Sequence, residues 1–96
     1  MKVLNFKNSN LEDLKKGVYI GRYNSYYGFK DSKYRNIYVI GKDGNGEEVV
    51  EKYDKYIRSK YSIEEIKRDL KGKNLICWCF PNYCHGNILK EICENE

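Results

Sequence analysis

Three of the four cysteines, the only histidine, the only proline and the only tryptophan of this chain fall within Cys77-Trp78-Cys79-Phe80-Pro81-Asn82-Tyr83-Cys84-His85-Gly86-Asn87. Thiols and an imidazole at that density can hold a metal, act as a nucleophile and base, or cradle an anion. The run lies between an apolar stretch, Asn74 to Cys77, and an apolar-periodic tail, Ile88 to Cys93. It therefore reads as the turn where a strand becomes a helix, with the free N–H groups of a helix start beside it.

Each chemistry makes its own demand. Zinc would take Cys77, Cys79, Cys84 and His85 as a Cys₃His set, although adjacent Cys84 and His85 have difficulty meeting one tetrahedral ion. Nucleophilic chemistry would use Cys84 or Cys79, with the thiol acidified by the helix start and His85 as its base. A ligand cradle would use His85, Gly86 and Asn87 to hold phosphate or carboxylate and would keep it without turnover. Structural packing is the plain alternative for Cys77, and Cys93 at helical spacing from Leu89 is expected to be core.

A second group of candidates occupies the loop Arg22 to Arg35. Tyr23, Tyr26, Tyr27, Phe29 and Tyr34 interleave there with Lys30, Lys33 and Arg35, and no period of two or 3.6 places the rings on one buried face. Stacking on a base by Tyr23, Tyr26, Tyr27 or Tyr34 and pairing of Arg22, Lys33 and Arg35 with phosphate are the corresponding expectations, with Asn36 beside them. Ten tyrosines also fit an AT-rich coding habit, and Tyr53 and Tyr56 fall on a helical packing face.

The elements that must position these residues come from periodicity. Strands are expected over Lys2 to Lys7, Val18 to Gly21, Asn36 to Ile40 and Lys73 to Cys79, about four in all, with Leu75 to Cys77 central and parallel. A single helical turn follows Asn10. An amphipathic helix carries Val49, Val50, Tyr53, Tyr56 and Ile57, a shorter one starts at the Ser62/Glu65 capping box, and the last covers Asn87 to Cys93. The order makes residues 1–96 one small α/β domain.

Charge is uneven. Lys and Arg number nine against four Asp and Glu in residues 1–45, and nine against ten in residues 46–96, for a net +4. A basic first half favours an anionic small molecule, while a modest total argues against a nucleic acid polymer. No apolar run reaches the roughly 18 residues of a membrane span and no signal-peptide core opens the chain, so the expected setting is the cytoplasm, without a membrane partner and with reduced thiols. A homodimer would be compatible with a ligand pocket shared between subunits.

Three blocks resemble the domain-of-unknown-function family 4326 of phages and bacteria: Val18-Tyr19-Ile20-Gly21-Arg22; Ser32-Lys33-Tyr34-Arg35-Asn36-Ile37-Tyr38; and Leu70-Lys71-Gly72-Lys73-Asn74-Leu75 leading to Cys77-Trp78-Cys79, Pro81 and Cys84-His85-Gly86. The middle block has Tyr34, Arg35 and Ile37 where the family pattern has Trp, Gly and Pro, and Asn87 stands where an Asp is usual. The resemblance implies a small Rossmann-like domain common in phage genomes, with the cysteine loop and the Ser32 to Tyr38 loop lining one pocket. It brings no reaction and no cofactor. The function expected is that of a binding protein for a phosphorylated nucleotide or nucleotide-derived ligand, in its concrete form a sponge that sequesters a host immune signal. A cysteine/histidine-dependent enzyme on a nucleotide or base and a zinc-stabilised interaction module are the alternatives.

Overall fold

A computed structural model describes residues 1–78 and 84–95. The elements run β1 (Val3–Asn5), a 3-10 turn (Phe6–Asn8), α1 (Leu11–Lys15), β2 (Gly17–Tyr19), α2 (Gly46–Lys60), α3 (Ile63–Leu70), β3 (Asn74–Cys77) and α4 (His85–Asn95). The chain is thus a small α/β domain.

The sheet has three strands in the order β1-β3-β2, both pairings parallel. Leu75 sits between Val3 and Val18, and Ile76 between Leu4 and Tyr19. β3 is therefore the central strand, and Leu75, Ile76 and Cys77 are all buried, as a strand covered on both faces requires. Gly17 permits the β2 pairing, because a Cβ there would stand 2.5 Å from Ile76 Cδ1. α4 packs on β1 and β3 and also on α2 and α3, so it lies between the sheet and that helix pair. Its start comes closest at Gly86, where a Cβ would lie 3.0 Å from both Ile20 Cδ1 and Val3 Cγ1.

α2 begins at a reciprocal capping box. Asn45 Oδ1 accepts the Glu48 N–H at 2.9 Å and Glu48 Oε1 accepts the Asn45 N–H at 3.0 Å. Val49, Val50, Tyr53 and Ile57 then form its buried stripe, and burial of each such side chain contributes on the order of 1.5–3 kcal/mol before the entropy of ordering it is subtracted. At α3 the Ser62 hydroxyl accepts the Glu65 N–H at 3.1 Å, while the Glu65 carboxylate reaches Lys33 at 2.9 Å.

The fourth expected strand, Asn36 to Ile40, does not form. Its backbone groups are taken by side chains: Arg22 donates to the Asn36 and Tyr38 carbonyls, Asn36 Oδ1 accepts the Tyr38 N–H, and Asp43 Oδ2 accepts the Val39 N–H. A segment satisfied in this way has no ladder to offer a neighbouring strand. α4 also starts two residues before the expected Asn87, at His85.

Candidate functional site

The carboxyl ends of β2 and β3 and the start of α4 converge on a pocket of about 370 Å³. Gly21 and Arg22 follow β2, Trp78 follows β3, and Cys84 and His85 open α4; Asn36 to Ile40 and the first turns of α2 close the other side. Most of the described lining is apolar, and it includes the rings of Tyr38 and Trp78.

Trp78 is held at both ends. Its indole N–H donates to Tyr19 Oη at 2.8 Å, and its carbonyl accepts from Asn5 Nδ2 at 2.9 Å. Around it Phe6, Tyr19, Tyr27 and Phe29 form a continuous ring cluster, in which Tyr19 and Phe29 stack at 4.0 Å. Tyr27 and Phe29 thus join a tertiary cluster that the loop's irregular spacing had concealed, whereas Tyr23 and Tyr26 are exposed, Tyr26 at 85%.

Arg22 is the charged side chain among the described residues of the pocket. Its Nε and Nη2 donate to the Asn36 carbonyl at 3.0 and 2.8 Å, and Nη2 also donates to the Tyr38 carbonyl at 2.7 Å. These neutral acceptors orient the guanidinium without cancelling its charge, and no carboxylate among the described residues pairs with it. Nη1 is left for another acceptor.

His85 is turned inward and is not presented as the anion donor that the cradle would need. It is 7% exposed, edge-on to the Tyr53 ring at 5.0 Å, and its Nε2 lies 2.8 Å from the Ile20 carbonyl. A carbonyl can only accept, so Nε2 carries the proton and neutral His85 presents a lone pair at Nδ1. Cys84 Sγ stands 3.5 Å from that Nδ1. Burial is the main cause that lowers the imidazole's affinity for a proton, with the Arg22 charge acting in the same direction and the Ile20 carbonyl opposing both.

A consequence is a measurable pH dependence. The folded imidazole titrates below its ordinary value of 6.5, so between the two values the unfolded chain binds the extra proton. The stabilisation is complete above the ordinary value and is lost as pH falls from there through the folded value. Thermal midpoints are expected to fall over that window, and His85→Gln to flatten the slope; equal slopes in both proteins would refute the assignment.

The other sequence candidates divide. Arg22, Asn36, Cys84 and His85 come together at the pocket. Lys33 instead bridges Glu65 and Asp69 at 2.9 and 2.6 Å, and Tyr34 is core, its hydroxyl donating to Asp69 at 2.6 Å. These contacts draw the Asp69 carboxyl down, with Lys33 as the largest cause, and tie the loop to α3. Arg35 donates to the Ser32 carbonyl and lies 3.9 Å from Asp31. Gly86 and Asn87 turn inward to Cys84: the Gly86 N–H points at its sulfur at 3.4 Å, and Asn87 Oδ1 accepts its N–H at 3.0 Å. The cradle expected of His85, Gly86 and Asn87 is therefore spent on internal contacts. Cys79 lies outside the described residues. Among those described, no group of three His, Cys, Asp or Glu side chains could hold a metal ion.

Tyr38 and Trp78 were not among the residues expected to touch a ligand, although the family resemblance implied that the loops containing them, Ser32 to Tyr38 and the cysteine loop, line one pocket. Neither the residue pattern nor the resemblance gave the contact by which Arg22 holds the Tyr38 carbonyl.

Residues 4–95 match the family model described as Domain of unknown function (DUF4326). The chain is also 41% identical over 85 residues to the uncharacterized protein R718 of Acanthamoeba polyphaga mimivirus, an alignment that takes in 78% of this chain and 65% of that protein. The chain thus spans less than two thirds of that viral relative. No solved structure matches it significantly.

Proposed function

This chain belongs to the family described as Domain of unknown function (DUF4326), and from that premise we propose that its pocket binds a phosphorylated nucleotide or nucleotide-derived small molecule and retains it without turnover. The observation that carries the reading is Arg22: a guanidinium held in place by carbonyls, with no carboxylate partner among the described residues, on an otherwise largely apolar hollow. A charge prepared in this way has an anion as its natural complement. Trp78 and Tyr38 offer faces for a base, and about 370 Å³ suits a ligand of that size.

The position agrees with this reading. On a Rossmann-like reading, ligands sit beyond the carboxyl ends of parallel strands; Trp78 comes directly after β3, and Gly21 stands two residues beyond the end of β2. The concrete version is a phage-type sponge that sequesters a host immune signalling nucleotide in the cytoplasm, for which the relative in a virus of amoebae supports the viral setting alone.

A second reading has its own observation. Cys84 Sγ at 3.5 Å from His85 Nδ1 is a thiol beside a base, as a cysteine/histidine-dependent enzyme acting on the same ligands would need. Incubation with a panel of cyclic and ADP-ribose-type nucleotides, followed by denaturation and chromatography, separates the two. Stabilisation in a thermal-shift assay with intact ligand recovered is the expected result. A new product would move the assignment to the enzyme, and no stabilisation by any phosphorylated compound would end it.

A further inference from the structure

Beneath the pocket, strand end and helix start bring two sulfurs together. Cys77 Sγ at the end of β3 and Cys84 Sγ before α4 are 3.3 Å apart. Around Cys84 Sγ stand the His85 Nδ1 at 3.5 Å and the Gly86 N–H at 3.4 Å. We propose that Cys77 and Cys84 form a redox-active dithiol that reduces a small hydroperoxide, with Cys84 attacking and Cys77 resolving.

Packing alone does not demand this arrangement. Cys93 shows what a cysteine used only for packing looks like in the same domain: it is buried on α4, and loss of solvent raises its thiol above the ordinary range. Cys84 is equally covered, yet it lines the pocket and has both an amide donor and a base at its sulfur. The amide and the positive end of α4 stabilise a thiolate, and the imidazole takes the proton. The Ile20 carbonyl makes this directional, because it holds the His85 proton on Nε2 and leaves Nδ1 free to act as the base.

In the reaction, the Cys84 proton moves to His85 Nδ1 and the thiolate attacks the terminal oxygen of R–O–O–H. The S–O bond forms, the O–O bond breaks, and the alcohol leaves with the proton returned by the imidazolium. Cys84 is then a sulfenic acid. Cys77 sulfur attacks the Cys84 sulfur, the S–S bond forms, and hydroxide departs as water with the Cys77 thiol proton. Two thiols have lost two electrons, and the hydroperoxide has become an alcohol and water. The sulfurs must close from 3.3 Å to the roughly 2.05 Å of a disulfide, a movement within reach of side-chain rotation. Since Cys84 is almost fully covered, hydrogen peroxide is the oxidant of suitable size.

The test treats the reduced full chain with hydrogen peroxide, alkylates the remaining thiols after denaturation, and maps the peptides. The expected product has lost two hydrogen atoms, carries a Cys77–Cys84 bridge and has Cys93 alkylated. Cys77→Ser should stop at a Cys84 sulfenic acid that dimedone traps, and His85→Gln should slow the oxidation at least about tenfold. A bridge through Cys79, oxidation of Cys93 ahead of Cys84, an unchanged rate in His85→Gln, or purified protein carrying one zinc with thiols inert until chelation would each overturn the proposal. The wild-type map decides the pairing even if a variant fails to fold.

Discussion

Replacement of Tyr53 by alanine is expected to lower the thermal midpoint of this domain by at least about 12 °C, from a loss of roughly 3–5 kcal/mol and a midpoint shift of about 4–8 °C per kcal/mol for a domain of this size. Tyr53 is completely buried on α2, so the ring leaves a void on removal. Its hydroxyl donates to the Tyr34 carbonyl at 2.7 Å, and its ring supports His85 at 5.0 Å. One side chain therefore joins α2 to the loop and to the start of α4. Tyr53→Phe separates the two contributions: it keeps the ring and removes only the donor, which leaves the Tyr34 carbonyl short of that partner at a cost of about 1–3 kcal/mol. Thermal melts of both variants check the order. A Tyr53→Phe variant as unstable as Tyr53→Ala would mean that the hydrogen bond, and not the packed ring, dominates.

The second large effect is on binding. Arg22→Ala is expected to weaken binding of a phosphorylated ligand by roughly 10- to 150-fold, the loss that follows from removing one charge-assisted hydrogen bond worth about 1.5–3 kcal/mol. The core should change little, since Arg22 is exposed and its side-chain bonds reach only the Asn36 and Tyr38 carbonyls, so any loss of order is confined to the Asn36 to Ile40 segment. Arg22→Lys should recover only part of the affinity, because an ammonium cannot span both carbonyls and still face the ligand. Titration with a phosphorylated compound and its dephosphorylated counterpart is the check. If both weaken equally, Arg22 shapes the pocket and does not read the anion.

Much of this was open to reading before any coordinates. Alternation and β-branching marked β1 and β2, the continuous apolar run marked β3 as central, and the stripe Val49, Val50, Tyr53, Ile57 marked α2. Local signals of this kind survive because they belong to single elements, whose periodicity the fold reuses. Asn36 to Ile40 misled for the complementary reason. Its pattern suits a strand, but the side chains of Arg22, Asn36 and Asp43 satisfy its backbone, and two of those three lie outside the segment.

The candidate site divides along the same line. Residue types and spacing marked the Cys77 to Asn87 turn as the candidate site and Arg22 as a candidate cation, and Trp78, Cys84, His85 and Arg22 do line one pocket. Tertiary structure decided the roles: it spent Lys33 and Tyr34 on Asp69, turned Gly86 and Asn87 toward Cys84, and buried His85 on the Ile20 carbonyl. The reason is that a polar side chain is committed by whichever partner the folded backbone brings within about 3 Å, and most of these partners lie tens of residues away along the chain.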